Sequence, residues 1–218
     1  MKKLIAIAAL AAATISTASA QMRFGPEVGL NLTSIQAKVD GTSDNSDMKI
    51  GARFGAVADI PMTANLYLRP GIQFSMMGGK KEVKEDFFGT TYTYTSTVTL
   101  NYIQVPVNIL YKFGEEGGGR FYVGLTPYLG FGISGTAKVK FEGESESEKI
   151  KFGSGDDADV KAMDFGAGLK LGYELPMGLY FDVAFLQGLS NNVPKGDSDH
   201  KMTNRNITIG IGYLFGGK

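Results

Sequence analysis

LNYIQVPVNILYKFGEEGGGRFYVGLTPYLGFGI, residues 100–133, decides the fold. In its first arm the odd positions Ile103, Val105, Val107, Ile109, Tyr111 and Phe113 are apolar or aromatic. Between them fall Tyr102, Gln104, Pro106, Asn108, Leu110 and Lys112. The second arm sets Phe121, Val123, Leu125, Pro127, Leu129, Phe131 and Ile133 against Tyr122, Gly124, Thr126, Tyr128, Gly130 and Gly132. Period-two alternation on both sides of a glycine-rich turn (residues 114–119) predicts a long β-hairpin with one greasy face.

Working outward, the same alternation recurs in residues 23–33, 49–60, 66–76, 161–175, 179–189 and 203–215. With the two arms of the hairpin this makes eight segments of the roughly 10-residue length that a tilted membrane strand needs. The connections alternate too. Residues 61–65, 114–119 and 176–178 are short; residues 35–48, 77–91, 134–160 and 190–202 are longer and polar. Short turns at one end and long loops at the other are the plan of an outer-membrane barrel with both termini periplasmic. The expected class is all-β: an antiparallel up-and-down transmembrane β-barrel of eight strands.

Composition agrees. Residues 1–20 read as an export leader to be removed, with Lys2 and Lys3, an apolar run over residues 4–15, and Ala18-Ser19-Ala20 before Gln21. That run is too short to span a bilayer, which takes about 20 residues. Residues 21–218 then form one barrel domain. The chain has no cysteine, so an exported fold must hold without disulfides. Without the two leader lysines, 20 basic face 22 acidic residues, a balance that argues against a nucleic-acid partner.

Alternation alone does not say which face meets lipid. A soluble periplasmic ligand-binding barrel with the greasy face inward is the weaker alternative. Three features favour lipid outside. The non-greasy face carries Glu27, Arg53, Arg69, Asp164, Lys170 and Asp182 within the strands, and Asp59, Lys112 and Glu174 nearer their ends. It is also rich in glycine, expected where the walls of a narrow barrel approach each other. Greasy-face aromatics (Phe24, Tyr111, Phe113, Phe121, Tyr173, Phe181, Tyr213 and Phe215) gather at the short-turn ends, as an interfacial belt does. Pro26, Pro70, Pro106 and Pro127 fall inside expected strands, where each removes a ladder hydrogen bond. Pro26 can begin a strand; bulges or strand ends are expected at the others.

NYIQVPVNILYKFG, FYVGLTPYLGFG, DFGAGLKLGYEL and LYFDVAFLQGLSN resemble the successive motifs of the PorT-like outer-membrane β-barrel family of Gram-negative bacteria. The resemblance spans residues 21–218. It implies an integral outer-membrane barrel with no enzymatic activity, no cofactor and no catalytic residue to carry over. A founding member is associated with protein export across the outer membrane, but no functional residue here carries that role.

The remaining chemistry is sparse. The interior charges suit either a structural plug or a gated conduit, and a narrow interior demands a partner for each charge. Glu142, Glu144, Glu146 and Glu148, then Asp156, Asp157 and Asp159, cluster in the longest loop. They lack the spacing and closing glutamate of a calcium loop, so a solvated, mixed-charge surface loop is expected. His200, the only histidine, lies near Ser198 in a polar loop, without the third group of a triad. Phe87, Phe88, Tyr92 and Tyr94 could touch a ligand, or extend a strand or belt. No catalytic, cofactor-binding or metal residue is expected. The expected partners are outer-membrane lipid and lipopolysaccharide, with envelope or secretion-machinery proteins left open. The functional expectation is a structural or surface component, and a narrow pore is its rival.

Overall fold

Alternating side chains make two-faced strands, and a two-faced sheet that closes on itself hides one face inside. The computed structural model describes residues 22–87, 90–115, 117–141, 144–155, 157–197 and 199–216; the leader lies outside them. Its strands are β1 (Arg23–Val39), β2 (Thr42–Asn45), β3 (Lys49–Pro61), β4 (Leu66–Phe87), β5 (Thr90–Phe113), β6 (Arg120–Leu125), β7 (Tyr128–Phe141), β8 (Glu144–Ile150), β9 (Met163–Glu174), β10 (Leu179–Gly188) and β11 (Lys201–Tyr213).

All pairings between these strands are antiparallel, and the ring runs β1, β3, β4, β5, β6 with β7, β9, β10 and β11 before returning to β1. Strands β6 and β7 are one barrel strand in a single register. Leu125 faces Leu169, Tyr128 faces Gly166, and Thr126 bonds Gly168 in both directions across the gap. The wall therefore has eight strands, as the sequence pattern predicts. Strands β2 and β8 stand outside the ring, each paired to one neighbour.

The orientation is greasy side out. Phe121 is 66 % exposed and Ile50 67 %, whereas Arg69, Asp59 and Lys112 are at 0 % inside. Outward aromatics pair around the short-turn end: Tyr111 with Phe113, Phe121 with Tyr173, and Tyr213 with Phe215, at centroid separations of 4.5–4.9 Å.

Two expectations need correction. The polar stretches 35–48, 77–91 and 134–160 are largely not loops: β1 runs on to Val39 and pairs with β2. Strands β4 and β5 reach 22 and 24 residues, and β7 and β8 form a second hairpin beside them. Their polarity marks a strand that has left the lipid, since Thr-rich alternation such as TTYTYTSTV suits a half-buried strand in water as well. Nor do the prolines shift the register. Ladder pairs are lost around Pro26, Pro70 and Pro106, but the pairs on either side stay in step. Pro127 does mark a strand end, and its carbonyl still accepts from Val107 N–H at 2.9 Å. The one register shift in the β5–β7 ladder comes at Ile133, where Asn101 faces Ser134 but Tyr102 faces Gly132.

Candidate functional site: the barrel lumen

Strand parity sends every second side chain inward, and the lumen is where the chemistry-bearing residues meet. At the short-turn end, Arg69 on β4 sits 2.8 Å from Asp59 and 3.3 Å from Glu174. Lys112 on β5 bridges the same two carboxylates at 2.7 Å each. Arg23 closes the ring from β1, at 2.8 Å from Asp59 and 2.6 Å from Glu174. Arg120 reaches Glu174 at 3.4 Å and donates to the Tyr67 hydroxyl at 2.8 Å. Two carboxylates thus hold four cations, drawn from six positions around the wall.

Aromatic rings carry the excess positive charge. Arg69 lies over Tyr180 at 4.4 Å and Lys112 over Tyr67 at 3.9 Å. A desolvated cation–π contact of this kind contributes about 2 kcal/mol.

One layer up, Arg53 contacts Glu27 at 2.8 Å and Asp182 at 3.1 Å, and Lys170 contacts Asp182 at 3.1 Å. Tyr180 donates to Glu27 at 2.8 Å. Tyr122 joins the layers, accepting from Arg69 at 3.5 Å and donating to Asp182 at 3.4 Å. Glycine makes room for these rings. Tyr122 pairs across the sheet with Gly172, and Tyr180 with Gly212. A Cβ on either glycine would collide with the facing ring.

The far half of the lumen is different. Asp164 is fully buried, and among the described residues its carboxylate accepts from neutral donors alone: Ser190 at 2.5 Å, Asn204 at 3.1 Å, and Tyr128 and Asn192 at 3.3 Å. The Asn206 side-chain amide, the Thr208 hydroxyl and the Asn31 side-chain carbonyl have no protein partner among the described residues. Above them Met77, Leu100, Tyr102 and Val160 form an apolar cap, with Phe152 edge-on to Tyr102 at 5.7 Å.

All nine ionisable residues singled out from the pattern are therefore buried in the lumen, and eight of them join the ion-pair network. Asp164 stands apart. Asn108 on the non-greasy face of the hairpin is buried here as that placement implies, whereas Arg23, Arg120 and Asn204 were missed, although the same parity would have placed them on this face.

The other candidates do not converge. Glu144, Glu146 and Glu148 point from the exposed strand β8, Asp159 accepts from Lys151 N–H at 2.8 Å, and Glu142 and Asp156 lie outside the described residues. Among the described residues no cluster of acids and histidine is placed to hold a metal. His200 is exposed, 3.3 Å from Asp197 and 3.5 Å from Asp40; Ser198 lies outside the described residues. The Asp197 carboxyl is held below the usual range by backbone N–H groups of His200 and Asp199, which makes it a loop-ordering acceptor. Tyr94 stacks on Phe141 at 4.5 Å within the extended sheet; the side chains of Phe87 and Tyr92, and Phe88 altogether, lie outside the description.

The family described as "Outer membrane protein beta-barrel domain" matches residues 16–193. No curated protein sequence matches the chain. Similar solved structures include Ail, the attachment invasion locus protein of Yersinia pestis, at 15 % identity over 89 % of this chain and 99 % of that one, with a TM-score of 0.41. Neisserial surface protein A is similar at 12 % identity over 87 % of this chain and 97 % of that one, with a TM-score of 0.40. Neither likeness bears on function.

Proposed function

The chain belongs to the outer membrane protein β-barrel domain family, and from that premise we propose that it is a non-enzymatic, non-conducting barrel whose working part is its surface-exposed end. The carrying observation is the filled lumen. The Arg69–Asp59–Lys112–Glu174 cluster joins opposite walls through side chains at no more than 4 % exposure, leaving no aqueous path at that level. Small barrels are filled in this way.

The strands support the same reading. A band about 25 Å tall uses roughly ten residues of a tilted strand, and β4 and β5 run to more than twice that. The surplus projects from the end opposite the short turns and presents a surface to the outside. In this reading both chain termini and the short turns are periplasmic, residues 1–20 are the export leader, and the resemblance of the four quoted motifs supports kinship with PorT-like barrels. Structural support of the envelope, or docking of an envelope partner on the projecting hairpins, is the role that remains for a plugged barrel.

The native chain has no cysteine, so single cysteines report topology cleanly. Ser145→Cys on β8 should react with a membrane-impermeant maleimide on intact cells, and Glu115→Cys in a short turn only after the outer membrane is permeabilised. The reverse pattern would overturn the orientation, and equal labelling of both in intact cells would overturn the membrane assignment.

A further inference from the structure

The stretch KVKFEGESESEKIK (residues 138–151) reads as an ordinary mixed-charge surface, but the β7–β8 hairpin sorts its charges by face. Lys138 faces Ser147, Lys140 faces Ser145, and Thr136 faces Lys149. Val139 faces Glu146, Ala137 faces Glu148, and Phe141 faces Glu144. Cross-strand partners share a face, so the three lysines project on one side of the sheet and the three glutamates on the other.

The register fixes which side is which. Tyr102, Leu100, Gly135 and Met77 are buried on the lumen side. Continuing that parity upward puts Val98, Ala137, Val139, Phe141 and the glutamates over the barrel mouth. The lysines continue the outer wall, above the row Phe74–Ile103–Phe131. The next outward row is Met76–Asn101–Ser134, where the Asn101 amide donates to the Ser134 hydroxyl at 2.9 Å. The rows above it are Thr99–Thr136–Lys149 and Lys80–Thr97–Lys138.

Rows on one face are about 6.6 Å apart along a strand. The lysines begin two rows above the last apolar one, and headgroups extend about 5–7 Å beyond the hydrocarbon. With strands tilted by about 45° each row adds under about 5 Å of height, so flexible stems bring Lys149 and Lys138 to the headgroup level and leave Lys140 within a Debye length of it. Lys80 shares Glu82 with Lys84, but Lys138, Lys140 and Lys149 are exposed and have no ion pair among the described residues.

We propose that this outward lysine face is a docking surface for the phosphate groups of outer-leaflet glycolipid. The inference rests on the surface-barrel orientation proposed above, and names the lipid chemistry that the outer wall meets there. Charge complementarity and direct continuity with the lipid-facing wall carry it. Each ammonium near an anionic surface contributes about 1 kcal/mol, so three acting together can change lipid retention by up to about 100-fold.

The test uses the full mature chain refolded into phosphatidylcholine vesicles with and without bisphosphorylated lipid A. Insertion is scored first by the protease-resistant, heat-modifiable band. Failure of the wild type to insert would overturn the barrel reading itself, and this inference with it. For inserted protein, lipid A retained after extraction into mild detergent is counted by native mass spectrometry. The wild type should keep lipid A about 10- to 100-fold more tightly than K138Q/K140Q/K149Q, and E144Q/E146Q/E148Q should match the wild type. The wild-type preference should collapse with dephosphorylated lipid A. Equal retention by the lysine variant, or an equal loss in the glutamate variant, would overturn the proposal while leaving the barrel reading intact.

Discussion

The two halves of the lumen solve one problem, a polar interior walled off from solvent, by different chemistry. Toward the short turns, Asp59, Glu174, Glu27 and Asp182 are locked to arginine and lysine at 2.6–3.4 Å. Toward the far end, Asp164 is held by hydroxyls and amides, and several amide and hydroxyl groups have no protein partner. A buried ion pair is intolerant of losing one member, because the other is left as an uncompensated charge. An amide without a partner has already given up its hydrogen bond, so replacing it by an apolar group of similar shape changes little. The charged half is therefore the rigid plug, and the amide half is the tolerant one.

Substitutions that break this contrast should rank accordingly, read by urea unfolding in phosphatidylcholine vesicles with the unheated gel band as the folded fraction. Arg69→Met strands Asp59 and Glu174 beside fewer cations and should destabilise by about 3–5 kcal/mol. A loss below 1 kcal/mol would show that the plug is not held by charge. Leu169→Arg changes the outer wall alone, on a side chain that is 59 % exposed near the middle of the greasy band. It should cost about 2–4 kcal/mol, and a neutral result would mean that this face does not meet lipid.

Gly212→Val pushes a side chain into the Tyr180 ring, which carries both Arg69 and Glu27. Overpacking of this kind should cost about 1–3 kcal/mol. Asn206→Leu, in the far half, should stay within about 0.5 kcal/mol of the wild type or gain slightly, since neither amide atom has a protein partner. A loss above 2 kcal/mol there would equalise the two halves and make ordered water integral to the upper one.

How much of this the sequence discloses follows from what period two encodes. Parity alone separates Val105 from Gln104 and Phe181 from Asp182, which gives the strand count and the two faces; the charges and glycines of one face and the aromatic belt of the other then make the greasy exterior and the nine lumen charges readable. Parity says nothing about partners around the ring. That Arg69 meets Glu174, 105 positions away, depends on closure and shear, which no local pattern contains. Arg23 and Arg120 escaped notice because they open their strands, where alternation has barely begun. The outer extensions of β4, β5 and β7 escaped because polar alternation resembles a loop when greasy alternation is taken as the mark of a strand. Glycine was legible as a sign of close approach, but its specific use, seating Tyr122 over Gly172 and Tyr180 over Gly212, needed the register.

Single-channel recording of the refolded mature chain in planar bilayers tests the filled lumen most directly. The wild type should give a flat trace across the voltage range at protein levels where insertion is independently scored. Discrete, reproducible conductance steps from the wild-type protein would contradict the plug and return the barrel to the pore reading.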